Sequence, residues 1–364
     1  MRNQIPFLSR ALVLPLLLCA VPLTAQTAPS IHVDASGTIH ADGLSVPVSD
    51  YLSPAARASQ AARLQRPTPP IITRDTVVTA RTLTDQAMRA TLAKWQAIAP
   101  ATITPVTMNG VQTDVIVPTA GTAPENAHRV LINLHGGGFF AGARSGGQVE
   151  SVPLAARGRI KVVSVNYRLA PEATFPAASE DVALVYRALL KTYKPENIGI
   201  YGCSAGGTLV AQSLAWFQHA KLPRPGAAGI FCSGAMPSFW YGGDAFSVTQ
   251  MMNARLAATP ADMKDGAGNL YMAGIDQHNP LVAPALYREV LARFPPTLLV
   301  TGTRDSAMSN VLVTNVRLLE AGTDTQLLVL EGLGHGEFNN LPGTPEATQA
   351  FDLIWRFFDR HLTR

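Results

Sequence analysis

The sequence predicts an α/β fold with a mostly parallel central sheet, helices on both faces and a helical cap. Three observations carry this expectation. From Val130 onward, short apolar runs come singly and are separated by helix-length stretches, the spacing of parallel strands joined by crossover helices. One of these runs passes through a Gly-x-Ser-x-Gly turn directly into a helix-like stretch. Of the 364 residues, 47% are hydrophobic and 15% charged, a composition that fills a large core.

Taken in order, the chain opens on a targeting pattern. Arg2 and Arg10 flank an apolar run, Ala11 to Val21, that is too short to span a bilayer, and Leu23-Thr24-Ala25 offers a small-residue cleavage site before Gln26. Residues 1–25 are therefore expected to be a signal peptide. The chain is expected to be exported, periplasmic or secreted, with no stable membrane span after cleavage. The formal charge of +4 is small and no basic run is present, which argues against nucleic acid as a partner.

Residues 26–100 read as an N-terminal arm followed by cap helices. Residues 26–48 are polar with little pattern, as in a linker or extended arm. Ser53 then caps a helix that starts with Pro54 and runs toward Arg66, where Pro67-Thr68-Pro69-Pro70 stops it. A second helix is expected from Thr82 to Ala99, with Leu83, Ala87, Ala90, Leu92 and Trp95 roughly on one side. Both precede the first strand, so they are expected to lie over one end of the sheet.

Residues 101–364 form the main domain. Ile103 to Thr107 and Val111 to Val117 make a hairpin around Asn109-Gly110, a strong turn signal. Single strands follow at Val130 to Leu134, Val162 to Val165, Ile198 to Tyr201, Ile230 to Cys232, Leu298 to Thr301 and Leu327 to Leu330. The interval at about 236–294 is too long for a simple crossover. It carries Trp240, Tyr241, Phe246, Met251, Met252, Leu256, Leu270, Tyr271 and Met272. It reads as an insertion that forms a cap with the N-terminal helices and lends the site an apolar pocket.

Four features fall at successive strand ends, where the ligand crevice of an open α/β sheet lies. Ser204, in Gly202-Cys203-Ser204-Ala205-Gly206, sits where a strained turn lifts its hydroxyl off the sheet and aims the Ala205 N–H into the same space. His135-Gly136-Gly137-Gly138 leaves backbone N–H groups free to face a small anion. Asp305 ends an apolar strand, and His335 follows another between Gly334 and Gly336. A serine hydroxyl needs a base to attack an acyl group at neutral pH. His335 is placed to take its proton, and Asp305 to hold the imidazole in the right tautomer. The order Ser204, Asp305, His335 is the one this topology expects. His135 is expected to shape the glycine loop rather than act as a base. These residues point to a hydrolase of esters, lactones or activated amides. No cysteine and histidine spacing indicates a metal site, and no cofactor is required. Cys203 and Cys232 end neighbouring core strands; two buried free thiols are favoured over a disulfide.

On these residues the chain resembles the hormone-sensitive-lipase group of bacterial esterases, which have the α/β-hydrolase fold. The matching stretches are His135-Gly136-Gly137-Gly138, Tyr167-Arg168-Leu169-Ala170-Pro171-Glu172 with Phe175-Pro176-Ala177, and Gly202-Cys203-Ser204-Ala205-Gly206-Gly207, with Asp305 and His335 matching in position. The resemblance runs from about Val130 to the C-terminus. It implies an oxyanion hole from the N–H groups of Gly136, Gly137 and Ala205, and a framework role for Arg168 and Glu172. It implies a serine carboxylesterase acting on small-molecule esters of short to medium acyl chains through an acyl-enzyme on Ser204. Two departures bear on substrate preference: Cys203 stands where an aspartate is common, and Ser306-Ala307-Met308-Ser309 follows Asp305 where a proline and another acid are often found. The same chemistry on a lactone or an acylated polysaccharide, and a non-catalytic binding protein, are the alternatives. The second of these requires a lost triad member, and all three are present.

Overall fold

The computed structural model describes residues 32–41, 44–66, 72–236, 243–252 and 267–363. Its main sheet has eight strands: β4 (Ala101–Met108), β5 (Val111–Pro118), β6 (Val130–Leu134), β7 (Lys161–Val165), β8 (Ile198–Cys203), β9 (Ala227–Phe231), β10 (Thr297–Arg304) and β11 (Thr325–Gly334). Their order is β11-β10-β9-β8-β6-β7-β5-β4. Strand β5 runs antiparallel to both its neighbours, and the pairings from β7 through to β11 are parallel. The expected hairpin turn is present, with Asn109 and Gly110 both at positive φ, 48° and 88°.

Side chains alternate across the sheet and divide the core in two. From β6 and β8, Val130, Ile132, Leu134, Ile198 and Ile200 enter one apolar cluster. Leu131, Tyr201 and Cys203 enter the other. The first is covered by α4 (Ala177–Leu189), α5 (Ala205–His219) and the helix Met308–Glu320. The second is covered by α1 (Pro54–Leu64), α3 (Ser145–Gly158) and the helix Pro345–His361, with Trp95 of α2 (Val77–Ile98). Both faces of the central strands are dry, which is why they read as apolar runs interrupted only by single buried polar residues such as Asn133 and Ser164.

The N-terminal region differs from expectation in one respect. Residues within the expected arm form a small antiparallel sheet of β1 (His32–Val33), β2 (Ile39–Ala41) and β3 (Leu44–Val46). Asp34 closes its first turn by accepting from the N–H groups of Ser36 (2.9 Å) and Thr38 (3.0 Å). Strands of two or three residues are too short to show a period. Helix α1 starts as expected, with Ser53 Oγ accepting from Ala56 N–H at 3.3 Å. Helix α2 begins one turn earlier than its pattern indicated, because buried Val77 adds an apolar residue to its first turn.

Within the long interval, the described parts include the helices Asp244–Met252 and Ala267–Met272. Tyr271 is fully buried there, stacked on Phe139 with ring centroids 4.5 Å apart and accepting from Ala178 N–H at 2.8 Å. Trp240, Tyr241 and Leu256 lie outside the described residues, as do the residues of the expected signal peptide. Among the described residues, no helix is long and apolar enough to cross a membrane.

Candidate active site

Strand register brings the four sequence features together. In β6 and β8, Leu134 pairs with Gly202, so His135-Gly136 and Cys203-Ser204 leave the sheet side by side. In β10 and β11 an irregularity after Gly302 sets Arg304 opposite Gly334, so Asp305 and His335 emerge as neighbours. Parallel strands point all these ends the same way.

Ser204 occupies the tip of the turn, with φ 60° and ψ −123°, immediately before α5. That conformation is costly for a non-glycine residue and persists because its surroundings fix it. Ser204 N–H donates to Phe231 O at 2.8 Å. A Cβ at Gly206 would overlap the Leu134 carbonyl oxygen, so only glycine lets α5 start this close to β6.

A hydrogen-bonded chain runs inward from the serine. His335 Nε2 lies 2.7 Å from Ser204 Oγ, and His335 Nδ1 lies 2.7 Å from Asp305 Oδ1. The Asp305 carboxylate only accepts, so Nδ1–H donates to it and the Nε2 lone pair faces the serine O–H. Asp305 is 0% exposed, while the His335 side chain is 35% exposed. Asp305 also accepts from Thr301 Oγ1 (3.0 Å) and Ala307 N–H (2.8 Å). Burial pushes the Asp305 carboxyl up, but His335 and these donors outweigh it and hold it below its ordinary value.

The glycine loop lies against the serine. Gly136 is so close that a Cβ there would meet Cys203 O at 3.0 Å and Ser204 Cβ at 3.4 Å. Gly137 has φ 118°, a backbone state that side chains rarely adopt. Here the structure corrects one expectation. The Gly136 N–H donates to Glu150 Oε1 at 2.8 Å and is already taken. The N–H groups of Gly137, Gly138 and Ala205 have no acceptor among the described residues. Ala205 is the first residue of α5, where the helix leaves its N–H groups unsatisfied and concentrates positive partial charge.

A supporting frame surrounds the loop. Tyr167 O–H donates to His135 O at 2.6 Å, and the two rings stack at 4.2 Å. His135 is fully buried, which pushes its pKa down to about 4 and keeps it neutral. Ala170 N–H donates to Phe139 O at 2.8 Å. Arg81 of α2 donates to Phe140 O (2.5 Å) and Ala170 O (2.5 Å), and grips both Glu172 oxygens (2.7 and 2.5 Å). Arg168 pairs with Asp181 at 2.9 Å and Glu180 at 2.9 Å. On the histidine side, Glu337 Oε2 accepts from Gly334 N–H at 2.7 Å, and Gln60 of α1 donates to Gly332 O at 2.5 Å. Cys203 and Cys232 are buried free thiols, and Cys232 Sγ accepts from Gly336 N–H at 3.2 Å. Among the described residues no cluster of histidine, cysteine and acidic side chains has the makings of a metal site.

Sequence reasoning passed over Glu150, Asn133, Arg81, Gln60 and Glu337. A single acid inside the apolar stretch Val149-Glu150-Ser151-Val152 was the available signal for Glu150. Asn133 is the one polar residue in the run Val130 to Leu134, and Glu337 lies two residues after His335, whereas Arg81 and Gln60 approach the site only through tertiary contacts.

The fold and this arrangement define the class. Residues 131–339, more than half of the chain, match the alpha/beta hydrolase fold family. The chain belongs to that family. Among curated relatives, an acetyl-hydrolase of Streptomyces hygroscopicus is 28% identical over 63% of this chain and 75% of its own length. An esterase of Acinetobacter venetianus is 28% identical over 70% of this chain and 81% of its own. Among solved structures, esterase E25 superposes with a TM-score of 0.78 at 26% identity, covering 87% of this chain and 97% of that one. An esterase of the bacterial hormone-sensitive lipase family superposes at 0.71 and 25% identity, covering 85% and 99%.

Proposed function

We propose that the protein is a serine carboxylesterase acting on short- to medium-chain acyl esters, with Ser204 as nucleophile, His335 as general base and acid, and Asp305 as its orienting carboxylate. The observation that carries this reading is the chain Ser204–His335–Asp305, with 2.7 Å at each link, beside N–H groups that have no acceptor of their own. Ser204 Oγ attacks the ester carbonyl while its proton passes to His335 Nε2. The tetrahedral oxyanion takes the N–H groups of Gly137 and Ala205; each such donor is worth about 10²- to 10³-fold in rate. The imidazolium gives its proton to the leaving alcohol, and the acyl group stays on Ser204. Water, deprotonated by His335, then releases the acid.

Relatives named esterase and acetyl-hydrolase support an ester as substrate and a short acyl group as its acid part. The apolar interval at about 236–294 and the N-terminal helices are read as the cap that bounds the acyl pocket. Export with cleavage near Ala25 is read from the charged and apolar pattern of residues 1–25. The intact mass of the chain recovered from a host's exported fraction tests that reading; a chain retaining Met1 would count against it.

The test of function is hydrolysis of p-nitrophenyl esters of increasing acyl length by the mature protein and by Ser204→Ala. Turnover should peak at short chains and vanish in the variant. A folded wild-type protein inert toward every ester would overturn the esterase reading, and turnover surviving in the variant would mean another nucleophile.

A further inference from the structure

We propose that Glu150 is a positioning residue whose buried carboxylate fixes the oxyanion loop against the nucleophile turn. This rests on the hydrolase reading above and assigns work to a side chain that the reaction itself does not use.

Glu150 stands on α3, almost wholly buried. Its Oε1 accepts from Gly136 N–H at 2.8 Å, and its Oε2 accepts from Asn133 Nδ2 at 3.0 Å. The Cys203 N–H also favours its ionised form. One carboxyl group therefore joins strand β6 to the loop that follows it, at the point where that loop lies against Cys203 and Ser204. Asn133 is itself oriented, since its Oδ1 accepts from Ser164 Oγ at 2.9 Å.

Among the described residues, no lysine, arginine or histidine is a partner of this carboxyl. A buried carboxyl held only by neutral donors is expensive, and an apolar side chain of similar size would cost less. What it secures is geometry. A Cβ at Gly136 would crowd Cys203 O at 3.0 Å, and the glycine offers only its backbone to be held by. That backbone is held at both ends: Glu150 takes its N–H, and His135 Nδ1 lies 2.8 Å from its carbonyl oxygen. The next two residues, Gly137 and Gly138, have φ of 118° and 61° and little intrinsic preference for that state. Released at Gly136, the peptide that presents the Gly137 N–H is free to rotate. An oxyanion hole works only when its donors are fixed before charge develops. Loss of Glu150 should therefore weaken transition-state binding and leave ground-state binding of the ester nearly untouched.

The experiment uses the full mature chain, with wild type, Ser204→Ala, Glu150→Leu, Glu150→Gln and Glu150→Asp. The readouts are kcat and KM on p-nitrophenyl acetate, and inhibition by a trifluoromethyl ketone, which forms an oxyanion on the serine. Wild-type turnover that disappears in Ser204→Ala establishes the underlying reading independently. Glu150→Leu should then lose about 10²-fold in kcat, with KM changed less than about threefold and ketone affinity falling in step with kcat. Glu150→Gln keeps an oxygen for the Gly136 N–H, since Asn133 can turn its amide and Ser164 its hydroxyl. It should recover to within about fivefold of wild type. Should Glu150→Leu fail to fold, Glu150→Asp decides. Its carboxylate is one methylene short of Gly136, and kcat should fall about tenfold at constant KM. Wild-type kcat in Glu150→Leu or Glu150→Asp overturns the assignment of Glu150 alone. So does a rise in KM that accounts for the whole loss.

Discussion

Replacing Asp305 by asparagine separates the charge of this residue from its hydrogen bonds. The Asp305 Oδ1 accepts from both His335 Nδ1 and Ala307 N–H, while among the described residues Oδ2 accepts only from the rotatable hydroxyl of Thr301. An asparagine here must direct its oxygen at the Ala307 N–H, because an amide NH₂ would face another donor. Its NH₂ then meets Thr301, whose hydroxyl can turn and accept. The same oxygen remains available to His335 Nδ1–H, so the working tautomer survives and only the negative charge is lost. A charge pair 4 Å apart at an effective dielectric of about 20 is worth about 4 kcal/mol. The His335 side chain is 35% exposed, and water there screens part of this, leaving about 3 kcal/mol. At 1.36 kcal/mol per decade, kcat should fall about 10²-fold with KM little changed. The assay is steady-state hydrolysis of p-nitrophenyl butyrate, with circular dichroism to confirm folding. A fall below about fivefold would sink the claim that the Asp305 charge stabilises the imidazolium. A fall near 10⁴-fold, the size expected of a wrong tautomer, would show that the amide takes the orientation excluded above.

Other outcomes follow from the same contacts. Burial pushes the Glu150 carboxyl from 4.5 up to about 7, so relative to the unfolded chain the fold favours the neutral acid, and the buried carboxylate forms only around neutral pH. The sign follows directly: stability from this group is present below the unfolded value and is lost as pH rises through the folded one. Wild type should therefore lose about 3 kcal/mol relative to Glu150→Gln between about pH 4.5 and 7, read from urea unfolding. The other titratable groups facing Glu150 are Tyr167, Tyr201 and Cys203, all pushed up and neutral throughout that window. A pH-independent difference would mean that the carboxyl is not desolvated. Gly206→Ala places a methyl on the Leu134 carbonyl oxygen and should yield aggregated protein or one without burst-phase acylation. A soluble variant with wild-type kcat would refute the close packing of α5 on β6. Arg81→Ala removes the donor to Phe140 O, Ala170 O and Glu172, which should destabilise the protein by about 2 kcal/mol in urea unfolding. An unchanged midpoint would show that α2 does not anchor the loop.

The sequence by itself determined the apolar strands of the sheet and the residues at their carboxyl ends that the fold brings together. Central strands dry on both faces are mostly apolar, and glycines mark places where backbones must touch, so β6, β8, β10 and their loops were legible as short local signals. The chain Ser204, Asp305, His335 was legible because parallel strands deliver their carboxyl ends to one edge. The three-stranded N-terminal sheet was not, since strands of two or three residues are too short to show a repeating pattern. Tyr271 likewise gave no sign that it packs on Phe139 in place of lining an open pocket. The direction of the Gly136 N–H depends on Glu150, 14 residues away on another element, and no local pattern reports which way a peptide plane turns. The clamps at Arg81 and Gln60 were invisible for the same reason. Their partners are set by how α1 and α2 lie across the carboxyl-end loops, and that is decided by long-range packing.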